Sequence, residues 1–67
     1  MISRHAYGRM AQRGASVRDV RNALANAATC ERAAEPGRWR MAGPDLDGDE
    51  LVAIVAFDGF AVVVTVF

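Results

Sequence analysis

Residues 51–67 read LVAIVAF, then Asp58-Gly59, then FAVVVTVF. Each run is apolar at almost every position and rich in β-branched side chains, which suits extended backbone. Neither approaches the ~20 residues of a membrane helix. Asp-Gly supplies the positive φ that a tight turn between paired strands demands. The segment therefore predicts a β-hairpin. A strand apolar on both faces belongs in the middle of a sheet, and residues 51–57 fit that place. The final run carries no charge to protect an edge. At an edge it would pair with a second copy or a partner strand; in the middle it would not.

The remaining residues must cover that hairpin. From Ser3 to Ala28 the apolar spacing is helical. Ser3 as N-cap and Gly14 as stop delimit a helix over residues 4–13. Ala6, Tyr7, Met10 and Ala11 fall on its core-facing arc. Ser16-Val17-Arg18-Asp19 has the pattern of a capping box. It opens a second helix that turns Val17, Val20, Leu24 and Ala27/Ala28 inward and Arg18, Arg21, Asn22 and Asn26 outward. That helix is expected to end near Ala28 or Thr29. Beyond it the period becomes two. Residues 30–35 read as a weak edge strand, and Pro36-Gly37 as a turn. In RWRMA, Arg38 and Arg40 take one face and Trp39 and Met41 the other; GPDLDGDE reads as a loop. The order predicts one α+β domain over residues 1–67, with two N-terminal helices packed on one face of a three- to four-stranded antiparallel sheet.

A chain of 67 residues buries a thin core, which favours a homodimer or a partner protein. The single cysteine, Cys30, excludes an internal disulfide. That and the absence of a basic-then-apolar leader pattern predict a cytoplasmic protein without membrane contact. Net charge is zero but unevenly spread. Residues 1–40 hold all eight arginines against three acids, a net +5, and residues 41–67 hold five acids and no base, a net −5. A basic half suits a polyanion; alternatively the two halves neutralise each other across the fold.

Asp45, Asp47 and Asp49 have the opening spacing of a calcium loop. Its sixth position is then Glu50 rather than glycine, and its twelfth is Ala56 rather than glutamate. A polar hairpin loop is the better reading. His5 and Cys30 each lack a second like ligand, so no metal is expected. RMAQRGASVRDVRNALA also fits a helix-turn-helix that exposes Arg18, Arg21, Asn22 and Asn26, although an αα-hairpin needs the same turn glycine.

His5, Arg9 and Arg13 follow i, i+4, i+8 and share one stripe of the first helix. With Arg38 and Arg40 they hold the groups that metal-free RNA cleavage uses. Histidine moves the proton, and arginines stabilise charge on the phosphate. The bland reading of the same stripe is the solvated side of a helix.

HAYGRMAQRGAS resembles the opening of a small prokaryotic family, domain of unknown function 4258, with its His-Ala-x-x-Arg-Met-x-x-Arg-Gly-Ile-Ser motif. VRDVRNAL, RWRMAG and the last strand extend the likeness over nearly the whole chain. The family is similar in layout to BrnT- and RelE-type toxin ribonucleases. The resemblance implies an α+β toxin-like fold, and the chemistry of the motif residues adds the expectation of a metal-independent endoribonuclease without cofactor. His5, Arg9 and Arg13 would be catalytic, and Arg38 and Arg40 would hold RNA, free or on the ribosome. A cognate antitoxin would be the protein partner. The alternative is a non-catalytic nucleic-acid- or protein-binding module. Two departures stand out: Ala15 replaces the usual isoleucine or valine, and Phe67 replaces a tyrosine whose hydroxyl could have served as acid or phosphate ligand.

Overall fold

The computed structural model describes residues 1–67. Two helices, α1 (Arg4–Arg13) and α2 (Val17–Ala25), precede four strands: β1 (Thr29–Arg32), β2 (Arg38–Pro44), β3 (Glu50–Phe57) and β4 (Ala61–Val66). The strands form one antiparallel sheet in the order β1-β2-β3-β4. α1 packs on β4, and α2 packs on β2 and β3. This is the two-helix, four-stranded α+β arrangement that the periodicity predicts, with both helices on one face.

Local chemistry sets the helix ends. The Ser3 hydroxyl accepts the Ala6 N–H at 3.1 Å, and Gly14 closes α1 in the left-handed region at φ 75°. At α2 the capping box is complete. The Ser16 hydroxyl accepts the Asp19 N–H at 3.1 Å, and the Asp19 carboxylate accepts the Ser16 N–H at 2.8 Å. α2 stops at Ala25 rather than near Ala28. Asn26 caps it, and the Ala28 N–H already bonds the Ala42 carbonyl at 2.8 Å, on the way into β1.

The core is one cluster: Ala6 and Met10 of α1, Val20 and Ala23 of α2, Leu51, Ala53 and Val55 of β3, and Val63 and Val66 of β4. Tyr7 and Ala11 were expected on the core arc of α1 and are exposed instead. α1 packs chiefly along the last strand, so a narrow line of its surface is covered. The core holds small side chains and no aromatic ring. Trp39 shares the helix-side face with its partner Val55, yet stays half-buried beneath the Arg32 guanidinium at 5.8 Å.

Gly43 and Pro44 belong to β2, not to the loop expected at residues 43–50. Gly43 is buried under α2. A Cβ there would sit 2.1 Å from the Ala23 carbonyl oxygen and 3.0 Å from the Ala27 Cα. Absence of a side chain lets helix and sheet backbones approach this closely.

β4 is the end strand of the sheet, but the chain covers much of its outer edge itself. Ile2 bridges Val63 in parallel, and the Ser3 N–H and Val63 N–H bond across at 2.9 and 2.8 Å. β1 is the open edge, exposed throughout and carrying the free thiol of Cys30.

A bulge interrupts the β3–β4 ladder. Val55 pairs with Val63, while Ile54 pairs with Thr65 and Ala53 with Val66. β4 thus uses one residue more than β3 over this stretch. Val63 and Val66 both reach the core, and Thr65 and Phe67 turn to the other face. The Ser3 hydroxyl donates to the Val64 carbonyl at 2.8 Å, tying the start of α1 to the bulge.

Candidate nucleic-acid interface

The face of the sheet away from the helices carries no helix, although Ala42 and Val52 on it are buried. The pairs Arg38–Ala56, Arg40–Ile54 and Ala42–Val52 lie on it, out of phase with the core positions of β3. A shallow groove of about 240 Å³ runs across it, with Ile54, Val64 and Thr65 on the sheet, Ala33 and Arg38 on one side and Phe67 on the other. Phe67 is held there because its N–H bonds the Val52 carbonyl at 2.8 Å. Its ring remains about half exposed.

Phe67 also borders a second shallow groove with Arg9, Gln12, Arg13 and Val66. The Arg9 guanidinium lies over the Phe67 ring, 5.8 Å from its centroid, and its Nε donates to the Val66 carbonyl at 3.4 Å. Arg13 donates to the Glu50 carbonyl. Both arginines of the α1 stripe are therefore anchored by backbone oxygens, which leave their charge uncompensated.

The sheet arginines differ. Arg38 pairs with Glu35 at 2.9 Å and Arg40 with Glu31 at 3.7 Å. These are the ion pairs of the molecule, and all four residues come from the basic half of the sequence. The two oppositely charged halves do not neutralise each other through ion pairs across the fold. Arg9, Arg13, Arg18 and Arg21 all lie on the helices without a carboxylate partner.

The five expected site residues thus fall into three placements. Arg9 and Arg13 stand together beside Phe67. Arg38, paired with Glu35, lines the open-face groove on the side away from Phe67, and Arg40 lies next to that groove opposite Ile54. His5 is exposed one turn before Arg9 on α1 and borders neither groove. Tyr7, the one phenol, faces a different cleft, with Met1, Val17 and Leu24.

A match to the family described as domain of unknown function (DUF4258) spans residues 2–67. The chain belongs to the DUF4258 family. No curated protein matches it, and neither does any solved structure.

Three features of this DUF4258 domain go beyond the sequence reading. Phe67, there only the residue replacing a tyrosine, is the point where the two grooves meet. Gln12 joins Arg9 through a 3.4 Å hydrogen bond. Asn22, expected on an outward recognition face, instead donates to the Pro44 and Asp45 carbonyls at 3.0 and 3.3 Å. With Asn22 tied to the sheet and the helices packed on different strands, α1 and α2 do not form a helix-turn-helix unit. The aspartate loop is organised by its own backbone: Asp45 Oδ1 accepts the N–H groups of Asp47 and Asp49, each at 2.9 Å. No helix of the domain is long and apolar enough to cross a membrane.

Proposed function

We propose that this domain binds single-stranded RNA along the Phe67 ridge. A base would stack on the Phe67 ring and lie over Ile54, while Arg9 and Arg13 take backbone phosphates on one side and Arg38 guides the strand on the other. The observation that carries this reading is the pairing of an exposed ring with guanidinium groups that have no carboxylate partner. Aromatic platforms flanked by free arginines hold single strands by stacking and by neutralising phosphate. Two shallow grooves meeting at one ring suit an extended strand better than a small enclosed ligand.

The test is fluorescence anisotropy of a labelled single-stranded RNA titrated with the native chain and variants. Stacking is worth about 1–3 kcal/mol per base, so Phe67→Ala weakens binding by roughly tenfold. Arg9→Ala and Arg13→Ala each lower the slope of log K against log salt by about 0.7. Arg32→Ala, on the helix side over Trp39, leaves affinity unchanged. Equal losses for Arg32→Ala and Arg9→Ala would reduce the effect to overall charge and refute the site.

A second reading rests on the exposed His5 on the same stripe as Arg9 and Arg13. In it the domain is a metal-independent ribonuclease of the RelE/BrnT toxin type, with His5 as general base or acid and a cognate antitoxin as partner. His5 borders neither groove, and the one carboxylate that lines them, Glu35, is paired with Arg38, which is why binding is put first. Incubation of the same RNA in EDTA decides between them. Fragments produced by the native chain and lost in His5→Ala select cleavage; intact RNA with retained binding selects the binding module.

A further inference from the structure

Between α1 and α2 lies a cleft that nothing in the chain fills. Tyr7, Val17, Val20, Leu24 and Val63 line it, and Arg21 contributes its one charged side chain; its volume is about 290 Å³. It is too apolar to attract a phosphate backbone. On the other flank of α2 stands the β2–β3 loop, residues 45–50, reading DLDGDE. Leu46 at its tip is more than half exposed. The Leu46 N–H is fixed to Asp19 Oδ1 at 2.9 Å. With the Asp45 carboxylate pinning Asp47 and Asp49, the loop is a rigid acidic projection carrying one apolar side chain.

We infer that a second copy of this chain docks here, each copy placing its acidic β2–β3 loop, Leu46 foremost, in the α1/α2 cleft of the other. Three observations support a second copy over a foreign protein. The cleft is apolar with an arginine at its rim, and the loop is apolar at its tip with acids around it. Those charges find no ion-pair partner inside the molecule, whose pairs are Arg38–Glu35 and Arg40–Glu31. Finally, the two features flank one helix. Arg21 lines the cleft and, with Arg18 and Asn22, also meets Leu46 on the far side. Loop and cleft therefore stand about one helix diameter apart, ~10 Å. A twofold axis across the outer face of α2 engages both at once, as a self-complementary interface requires. An ordinary interface covers about 800 Å² per partner, under a fifth of the 4411 Å² this chain exposes. The surface is separate from the Phe67 ridge, so either site could fail without the other.

Sedimentation equilibrium of the full chain tests the inference. The native chain is expected as a dimer that weakens with salt. Arg21→Glu alone and the double variant Asp47→Arg/Asp49→Arg alone are each expected to dissociate at least about tenfold more readily, since like charges then face each other. Mixed in equal amounts, the two variants should recover dimers. In the mixed pair one contact has both charges reversed and the other is native. Far-UV circular dichroism of each variant confirms folding, and recovery on mixing cannot come from misfolded chains. A monomeric native chain at every concentration overturns the inference and leaves the cleft to a foreign acidic segment. Variants that remain dimeric, or a mixture that stays monomeric, overturn this interface.

Discussion

Gly43→Ala adds one methyl group at the place where α2 lies closest to the sheet. The new Cβ would stand 2.1 Å from the Ala23 carbonyl oxygen, where ordinary contact begins near 3.4 Å. The obstacles are backbone atoms, so no rotamer change relieves them. α2 must retreat by the difference, about 1.3 Å, or the strand must bend away. A gap of 0.5–1 Å already forfeits about a quarter to a half of a contact's attraction, and Val20 and Ala23 would lose that much against Leu51. Overpacking of this kind costs about 1–3 kcal/mol. Removing a glycine from the unfolded chain returns about 0.4–1 kcal/mol. With the loosened core added, the net loss should be about 2–3 kcal/mol. A domain of this length has about 3–10 kcal/mol in total, so the variant loses a large share. Gly8→Ala is the matched control. It sits in α1 with nothing within 4 Å of its added Cβ, and should gain up to about 1 kcal/mol from helix propensity. Urea denaturation at one fixed protein concentration, with unchanged m-values, measures both. A Gly43→Ala midpoint giving a loss under about 0.5 kcal/mol would refute the close approach of α2 to β2.

Other expectations follow from the same packing and capping. Leu51 is fully buried among both helices and the sheet, so Leu51→Ala should cost about 2–5 kcal/mol by the same denaturation assay. Ser3→Ala removes both the α1 cap and the tether to the bulge, and should cost about 1–2 kcal/mol. Because the bulge sets the face of Phe67, the same variant should also weaken RNA binding. Arg38→Ala breaks an exposed pair with Glu35 and should change stability by less than about 1 kcal/mol. Backbone N–H groups of Ser16 and Leu46 and the Ser16 hydroxyl hold the Asp19 carboxyl below its ordinary value of 3.8. A depressed folded-state pKa stabilises fully above the unfolded value, and that contribution is lost as pH falls through the folded one. Tm should therefore drop on acidification below about pH 4, and Asp19→Asn should flatten that part of the curve. An unchanged acid limb in the variant would refute the role of Asp19.

Much of this fold was legible because its signals are local. Ser3 and Gly14 bound α1 through hydrogen bonds within one turn, and Ser16 with Asp19 starts α2 in the same way. Alternation in RWRMA correctly separated Arg38 and Arg40 from Trp39 and Met41. Where the reading slipped, a distant partner decided. α2 ends early because β1 takes up the Ala28 N–H. Tyr7 is exposed because α1 leans on one strand. Gly43 looked like the start of a loop because only the approach of Ala23 shows why a glycine stands in that strand. Arg40 is paired because Glu31 of β1 meets it across the ladder, a neighbour nine residues away that only the register supplies.

Sequence alone determined the two capped helices, the switch to strand periodicity, the hairpin at Asp58-Gly59 and the basic stripe of His5, Arg9 and Arg13. All of these depend on interactions within a few residues. The place of Phe67 did not. Strict alternation from buried Val63 would send residue 67 to the core side. One extra residue in β4, opposite Ile54 and Val55 and pinned by Ser3 from the other end of the chain, sends it to the open face instead. Tertiary structure decided that step because the face of a strand residue is set by its register with a neighbouring strand, and a single bulge reverses it.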